Sequence, residues 1–239
     1  MISREQARQL RTELQKCTSI FRSNVIFTDT IPSTQDALLD IADSAPSGTI
    51  WLTHSQQAGR GRNGRVWLSP PGSLTFSVLI RPHMPPYRAG TLMMASAVSL
   101  YNVLCKYAPD TTIKWPNDIM VKGKVAGVVI DTAISDIIQW AVIGVGVNVS
   151  IDTSNMPGID TISNHTKDAS AYEILLGFLG EMSRCHKNMD SIQESYVGGC
   201  STIGRMVHYG DVRGLATGID KYGALMVQTK RGTERVVIS

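Results

Sequence analysis

The chain has 239 residues, of which 43% are hydrophobic and 18% charged. That balance excludes a disordered chain and leaves room for one large domain, or a catalytic domain with a small module. A formal net charge of +3 is too small to argue for nucleic-acid binding by itself.

The polar start lacks a secretory leader, and the apolar stretches at 91–104 and 137–149 are too short and interrupted to span a bilayer, so a cytoplasmic protein is expected. Cys17, Cys105, Cys185 and Cys200 show no metal-ligand spacing and read as reduced, mostly buried thiols.

In chain order, residues 3–17 predict a helix with a Ser3/Gln6 capping box and Ala7, Leu10, Leu14 and Cys17 on one face. A strand at 24–27 leads to Ser33, a suitable N-cap for a helix carrying Ala37, Leu38, Ile41 and Ala42. Strands follow at 48–53 and 74–80, then a buried helix at 90–107. Strands at 111–114 and 125–131 are joined through residues 115–124, and 139–148 suits a strand buried on both faces. A polar loop spans 150–166. Asp168 opens an amphipathic helix with Tyr172, Leu175, Leu179 and Met182 in register. From residue 203 onward, short β-like runs broken by glycines suggest a small antiparallel barrel, with a boundary near Gly198-Gly199.

Between the second and third strands, three glycines and three arginines alternate in Gly59-Arg60-Gly61-Arg62-Asn63-Gly64-Arg65. Glycine lets backbone N–H groups approach an anion, and arginine offers a fork that pairs bidentately with phosphate or carboxylate. The pattern is neither a P-loop nor a dinucleotide fingerprint. Alone it fits a solvated basic turn or an RNA-contacting loop as well as a phosphate site that orders on binding. The anchoring run Trp67-Leu68-Ser69-Pro70, tied to an apolar strand, favours the phosphate site.

Lys114-Trp115-Pro116-Asn117-Asp118 joins a cation, an aromatic, a turn residue, an amide and a carboxylate. Its oxygens suit Mg²⁺ held with nucleotide phosphates, although for the pentapeptide alone an Asx-type turn is the better reading. Lys124 stands immediately before a buried strand; most such lysines are surface charges, but beside these motifs its ammonium is expected to be drawn toward the site.

Together, Ser33-Thr34, Gln56 to Arg65, Trp67, Ser69-Pro70, residues 114–118 and 124–127, Gly144-Val145-Gly146-Val147-Asn148 and residues 218–225 resemble the biotin–protein ligase family. The resemblance implies an α+β fold: a mixed β-sheet with helices on one face, akin to lipoate ligases and class II synthetases, followed by a small SH3-like β-barrel. It divides the chain into an N-terminal helix (1–23), a catalytic biotin- and ATP-binding domain (24–199) and the small C-terminal domain (200–239). The implied reaction forms biotinyl-5′-adenylate from biotin and ATP, then transfers biotin to a lysine of a biotin carboxyl carrier domain.

Carried over by position, Ser33, Thr34 and Gln56 hydrogen-bond biotin's ureido ring, while Gly59 and Gly127 allow close backbone approach. Arg60, Arg62 and Arg65 neutralise carboxylate and phosphates, and Lys124 bridges the two. The catalytic group is then Lys124, Arg62 and Arg60. Trp67 packs beside the adenine, Asn148 hydrogen-bonds it, and Lys114 assists with phosphate. Asn117 and Asp118 hold the ATP–Mg²⁺ end. Ser33 also reads as a simple helix cap, Trp67 as core, and Gly144 and Gly146 as strand packing.

Regulatory members of the family carry an N-terminal winged helix-turn-helix; residues 1–23 have room for one helix, so repressor activity and nucleic-acid binding are not expected. Asn63 stands where arginine is commoner in the family, and the tail stops before an expected closing strand. A lipoate or octanoate ligase of the same fold is the nearest alternative. The oligomeric state stays open, a sheet edge being a possible dimer contact.

Overall fold

The computed structural model describes residues 2–16, 20–21 and 24–237. Helix α1 (Arg4–Lys16) starts at the capping box: Gln6 N–H donates to Ser3 Oγ at 3.1 Å, and Ser3 N–H to Gln6 Oε1 at 2.9 Å. Two N-terminal donors are thereby satisfied reciprocally. Ala7, Leu10 and Leu14 are buried as expected, while Cys17 lies outside the described residues.

Seven strands form the main sheet: β1 (Val25–Ile31), β2 (Ile50–Gln56), β3 (Ser73–Ile80), β4 (Thr112–Lys114), β5 (Asp118–Met120), β6 (Lys124–Ile134) and β7 (Ile138–Asn148). Their spatial order is β1-β2-β3-β7-β6-β5-β4. β1 and β2 run parallel and every other neighbouring pair is antiparallel, which makes the sheet mixed. β1 outruns its expected end because it stays paired with β2 as far as Ile31 and Gln56. β5 was not anticipated: Asp118, Ile119 and Met120 pair with β4 on one side and β6 on the other.

Strand alternation decides where the core and the site sit. Leu74, Phe76, Val78 and Ile80 of β3, with Ile143, Val145 and Val147 of β7, join the main core beneath α3 (Ala89–Leu104) and α4 (Ala171–Lys187). Phe76 meets Phe178 of α4 edge-to-face at 5.4 Å. On the opposite face, α2 (Thr34–Asp40) leads into a small cluster of Leu38, Ala42, Ala45, Leu79 and Val142. Helices therefore lie on both faces, not one, and α2 covers only part of the second. Ser170 caps α4 by accepting from Glu173 N–H at 3.3 Å, which sets the helix start at Ala171 rather than near Asp168.

After α5 (Ile192–Gly199), which the glycine-rich sequence there concealed, come β8 (Met206–Tyr209), β9 (Val212–Ile219), β10 (Leu225–Thr229) and β11 (Gly232–Val236). They form an antiparallel meander, β11-β10-β9-β8. Among the described residues β8 and β11 do not pair, so the expected barrel is an open sheet. Ala216, Ile219, Leu225 and Val227 are buried within the main core cluster. The sheet thus buries its apolar face against the larger body instead of rolling onto itself. Ile238 and Ser239 lie outside the described residues.

Trp115 fastens the two sheets. Its indole N–H donates to Gly223 O at 3.0 Å, its backbone N–H to Thr202 Oγ1 at 2.9 Å, and its ring packs edge-to-face on Tyr209 at 4.9 Å. Tyr196 of α5 adds a hydrogen bond from its hydroxyl to Pro116 O at 2.9 Å. No helix among the described residues is long and apolar enough to cross a membrane.

Trp115→Ala should lower the unfolding free energy by about 3–5 kcal/mol in urea titration. Trp115→Phe, which keeps the ring but leaves Gly223 O unpaired, should cost only about 1–3 kcal/mol. Equal losses for the two would mean that packing contributes nothing beyond the hydrogen bond.

Candidate active site

The part of the second face that α2 leaves uncovered is built from residues with little or no side chain. In register, Thr75 of β3 faces Gly146 of β7, which faces Gly127 of β6; one step along, Ser77 faces Gly144 and then Val129. This floor lies low enough for two side chains to rest on it. A Cβ at Gly146 would overlap the Trp67 indole, and one at Gly144 would come within 2.6 Å of Gln35 Oε1. Both glycines thus serve close packing, as their position in the strand suggested.

Ser33 is the N-cap of α2 and accepts from Asp36 N–H at 3.2 Å, yet it also lines the small cavity on this floor. Gln56 Oε1 accepts from Thr34 N–H at 2.8 Å and from Thr34 Oγ1 at 3.1 Å, and Gln56 Nε2 donates to Ser69 Oγ at 3.3 Å. The Thr34 and Ser77 hydroxyls lie 2.9 Å apart, and Ser77 donates to Gln35 Oε1 at 3.0 Å. Gln35 Nε2 then donates to Asp131 Oδ2 and to Val142 O, both at 2.9 Å. Gln35, Ser77 and Asp131 escaped the sequence reading, which named Ser69 without giving it a role. The alternation of Ser73, Thr75 and Ser77 with apolar residues could have revealed a polar strand face; nothing local marks Asp131.

The Gly/Arg loop is a small hairpin. Arg60 and Val66 form an antiparallel bridge, Gly61 N–H donates to Arg65 O at 2.7 Å, and Arg65 N–H to Arg62 O at 3.2 Å. Asn63 and Gly64 at its tip have φ of 54° and 70°. Asn-Gly is the favoured pair for such a mirror-image turn, because both central residues need positive φ. Asn63 therefore has a conformational reason to stand at the tip. Gly59 is tightly enclosed: a Cβ there would overlap Trp67 O and come within 2.6 Å of Gln56 Nε2.

The cations of the site face carboxylates. Lys124 Nζ lies 2.6 Å from Asp118 Oδ1 and 5.3 Å from the centre of the Trp67 ring. Arg60 pairs with Asp36 and lies 3.6 Å from Asp131. Arg62 Nη1 reaches Asn117 Oδ1 at 3.4 Å; burial lowers the Arg62 guanidinium from the ordinary arginine value, Asp118 opposes that, and Arg65 adds to it. Arg65 is exposed at the hairpin. Gly127 sits directly beneath the Lys124 ammonium, where a Cβ would lie 3.2 Å from Nζ.

Of the other expected members, Trp67 and Asn117 line the small cavity, whereas Asn148 and Lys114 do not. Trp67 shares the small cavity with Thr34, Gln56, Lys124 and Gly127, and its indole nitrogen is buried without a hydrogen-bond partner among the described residues. Asn148 is buried at the end of β7 and donates to Lys124 O at 3.2 Å and to Asp160 O at 3.1 Å. Lys114 is exposed at the end of β4 and lines neither of the two cavities of the site. Asn117 donates to Val128 O at 2.6 Å. With Arg62 on Asn117 and Lys124 on Asp118, this pair does not fit a resident metal ion. Among the described residues no cluster of three His, Cys, Asp or Glu could hold one.

The small cavity holds about 50 Å³, well below the roughly 300 Å³ of the smallest usual ligand sites. Beside it, sharing Gln35, Arg60 and Arg62, opens a cleft of about 750 Å³ between the hairpin, β6, the start of α3 and the C-terminal sheet. Tyr87, Tyr222 and Ile134 give that cleft an aromatic and apolar rim.

This fold and this constellation define a ligase core: the chain belongs to the biotin/lipoate A/B protein ligase family, whose model matches residues 27–148. The model of the biotin protein ligase C-terminal domain matches residues 202–239. Among curated relatives, the bifunctional ligase/repressor BirA of Bacillus spizizenii is 30% identical over 239 residues, covering 92% of this chain and 74% of the relative. The biotin--[acetyl-CoA-carboxylase] ligase of Paracoccus denitrificans is 28% identical, covering 79% and 88%. Among solved structures, the biotin protein ligase from Aquifex aeolicus in complex with biotin and ATP shares the fold at a TM-score of 0.75 and 24% identity, over 90% of this chain and 96% of that one.

Gly146→Ala should push the Trp67 indole off the floor. Acrylamide quenching of tryptophan fluorescence should rise, and stability should fall by about 1–3 kcal/mol. Unchanged quenching would show that the indole does not rest there.

Proposed function

We propose that the chain is a biotin–protein ligase that joins biotin to ATP and passes the biotinyl group to a lysine of a carrier domain. The observation that carries this reading is one pocket in which paired amides and hydroxyls lie at one end and a lysine under an arginine hairpin at the other. The activity named for the Paracoccus relative, biotin--[acetyl-CoA-carboxylase] ligase, supports it.

In the first step a biotin carboxylate oxygen attacks the α-phosphorus of ATP, and the bond to the departing pyrophosphate breaks. Two anions must meet; at 4 Å and an effective dielectric near 20 their repulsion is of order 4 kcal/mol. One cation placed between them offsets a term of that size. Lys124 is the group suited to this, exchanging Asp118 for the two incoming anions, while Arg60, Arg62 and Arg65 take the remaining charge. Mg²⁺ enters as part of the ATP substrate. In the second step a neutral lysine amine attacks the acyl carbon of the mixed anhydride and AMP leaves with the electron pair.

The Gln56–Thr34 pair, with Ser33 and Ser69 alongside, offers both donors and acceptors, as a cyclic urea requires and a fatty-acyl channel does not. Trp67 shares that pocket, so it would pack along biotin's alkyl chain rather than the adenine, and a ring system enters when the indole shifts. The wide cleft, bounded by the C-terminal residues 200–239, would admit the nucleotide and the acceptor lysine to the main body at 24–199.

With MgATP, biotin should elicit pyrophosphate release and lipoate should not. Equal release with lipoate would place the chain with the lipoate ligases of the same family, and none with biotin would refute the assignment. Lys124→Ala should reduce biotin-dependent pyrophosphate exchange by at least about 100-fold while calorimetry still detects biotin binding. Normal exchange in that variant would remove Lys124 from the chemistry.

A further inference from the structure

Lys124 is the first residue of β6, where a strand would ordinarily fray. Here it is flanked on both sides. β5 pairs with it through Met120. On the other side residues 158–160 run beside it as a short parallel bridge: Lys124 N–H donates to Gly158 O at 2.9 Å, and Asp160 N–H donates to Lys124 O at 3.0 Å. Gly123 permits this approach, since a Cβ there would lie 2.9 Å from Gly158 O. Asn148 closes the arrangement by donating to both Lys124 O and Asp160 O.

The side chain that holds this segment in place is Asp160, which is 5% exposed. Its Oδ1 accepts from Thr161 N–H at 2.8 Å and from Asn164 Nδ2 at 2.9 Å. Its Oδ2 accepts from Lys122 N–H at 3.2 Å and lies 2.8 Å from His165 Nε2. The Lys122 contact reaches across to the β5–β6 turn, two residues before Lys124. Burial raises the Asp160 carboxyl, but the hydrogen bonds from His165, Asn164 and Thr161 together outweigh it and hold the group below the ordinary carboxylate range. Neither Asp160 nor His165 lines the small cavity or the wide cleft, so the proposed reaction leaves this pair without a task.

We propose that Asp160, held by His165, is a positioning residue for Lys124: it locks residues 158–161 onto the start of β6 and thereby fixes where the Lys124 ammonium sits. The inference rests on the role given to Lys124 above. A catalytic group displaced by about 1 Å can lose on the order of 100-fold in rate, and four side-chain torsions amplify any play at the Lys124 backbone. Asp160→Ala removes all four contacts. His165→Ala removes one, and His165→Gln retains a donor without the ring.

The full chain can be tested on two independent readouts. The first is pyrophosphate exchange with MgATP and biotin, alongside biotin affinity by calorimetry. Asp160→Ala should lower exchange turnover about 10- to 100-fold with biotin affinity within about twofold; His165→Ala should lose less, and His165→Gln should recover most of that loss. The second is the rate at which an amine-selective acetylating reagent labels Lys124, followed by peptide mass spectrometry with the other lysines as internal reference. Labelling of Lys124 should change severalfold in Asp160→Ala and in His165→Ala, and in no other lysine except neighbouring Lys122. Unchanged Lys124 labelling, or a turnover loss matched by lost biotin affinity, overturns the positioning role. Altered labelling in a chain whose wild type shows no biotin-dependent exchange overturns the ligase reading and leaves the positioning role standing. Should Asp160→Ala fail to fold, the His165 variants decide the question by the same two readouts.

Discussion

Everything at the site depends on a sheet face without bulk. Strand alternation sends Phe76, Val78, Ile143 and Val145 toward α3 and α4, and leaves Thr75, Ser77, Gly144, Gly146 and Gly127 on the other side. Because that floor is mostly backbone and short hydroxyls, Gln35 and Trp67 can approach it closely and Lys124 can stand above Gly127. Larger residues at these positions would fill the pocket from below and leave nothing for the hairpin to cover. The strands are thus asked for opposite things on their two faces, close apolar packing on one and near-emptiness on the other, and β7 meets both demands in a single alternating run.

A second regularity is electrostatic. Lys124 faces Asp118, and Arg60 faces Asp36 and Asp131. Half-buried cations left unmatched so close together would repel one another and carry a desolvation cost. The carboxylates relieve both, and an incoming anion competes with them rather than meeting a bare positive field. Selectivity follows, because a weak anion gains little by displacing a carboxylate already in place.

Much of this was legible from sequence where the signal is local. The Ser3/Gln6 box, the alternating β7 and the glycine–arginine run each encode their geometry in adjacent residues. Lys124 and Gly127 were found through the company of motifs around them. What stayed hidden depends on partners distant in the chain. β5 is a strand only because β4 and β6 flank it. The C-terminal strands read as a barrel because alternation reports a buried face but not what buries it. Trp115 lay inside a segment that reads as phosphate-binding, yet its indole reaches Gly223, 108 residues away. Gln35 and Asp131 join the site only through the register of β6 and β7.

The turn at Asn63-Gly64 has an entropic consequence. Fixing the backbone of a flexible loop costs about 1–2 kcal/mol per residue, and a cover that becomes ordered only on its ligand subtracts that sum from the binding free energy. In this chain the hairpin is bonded across its stem from Gly59 to Trp67, so the ordering is completed when the protein folds. A ligand bound beneath it therefore does not have to supply that ordering cost.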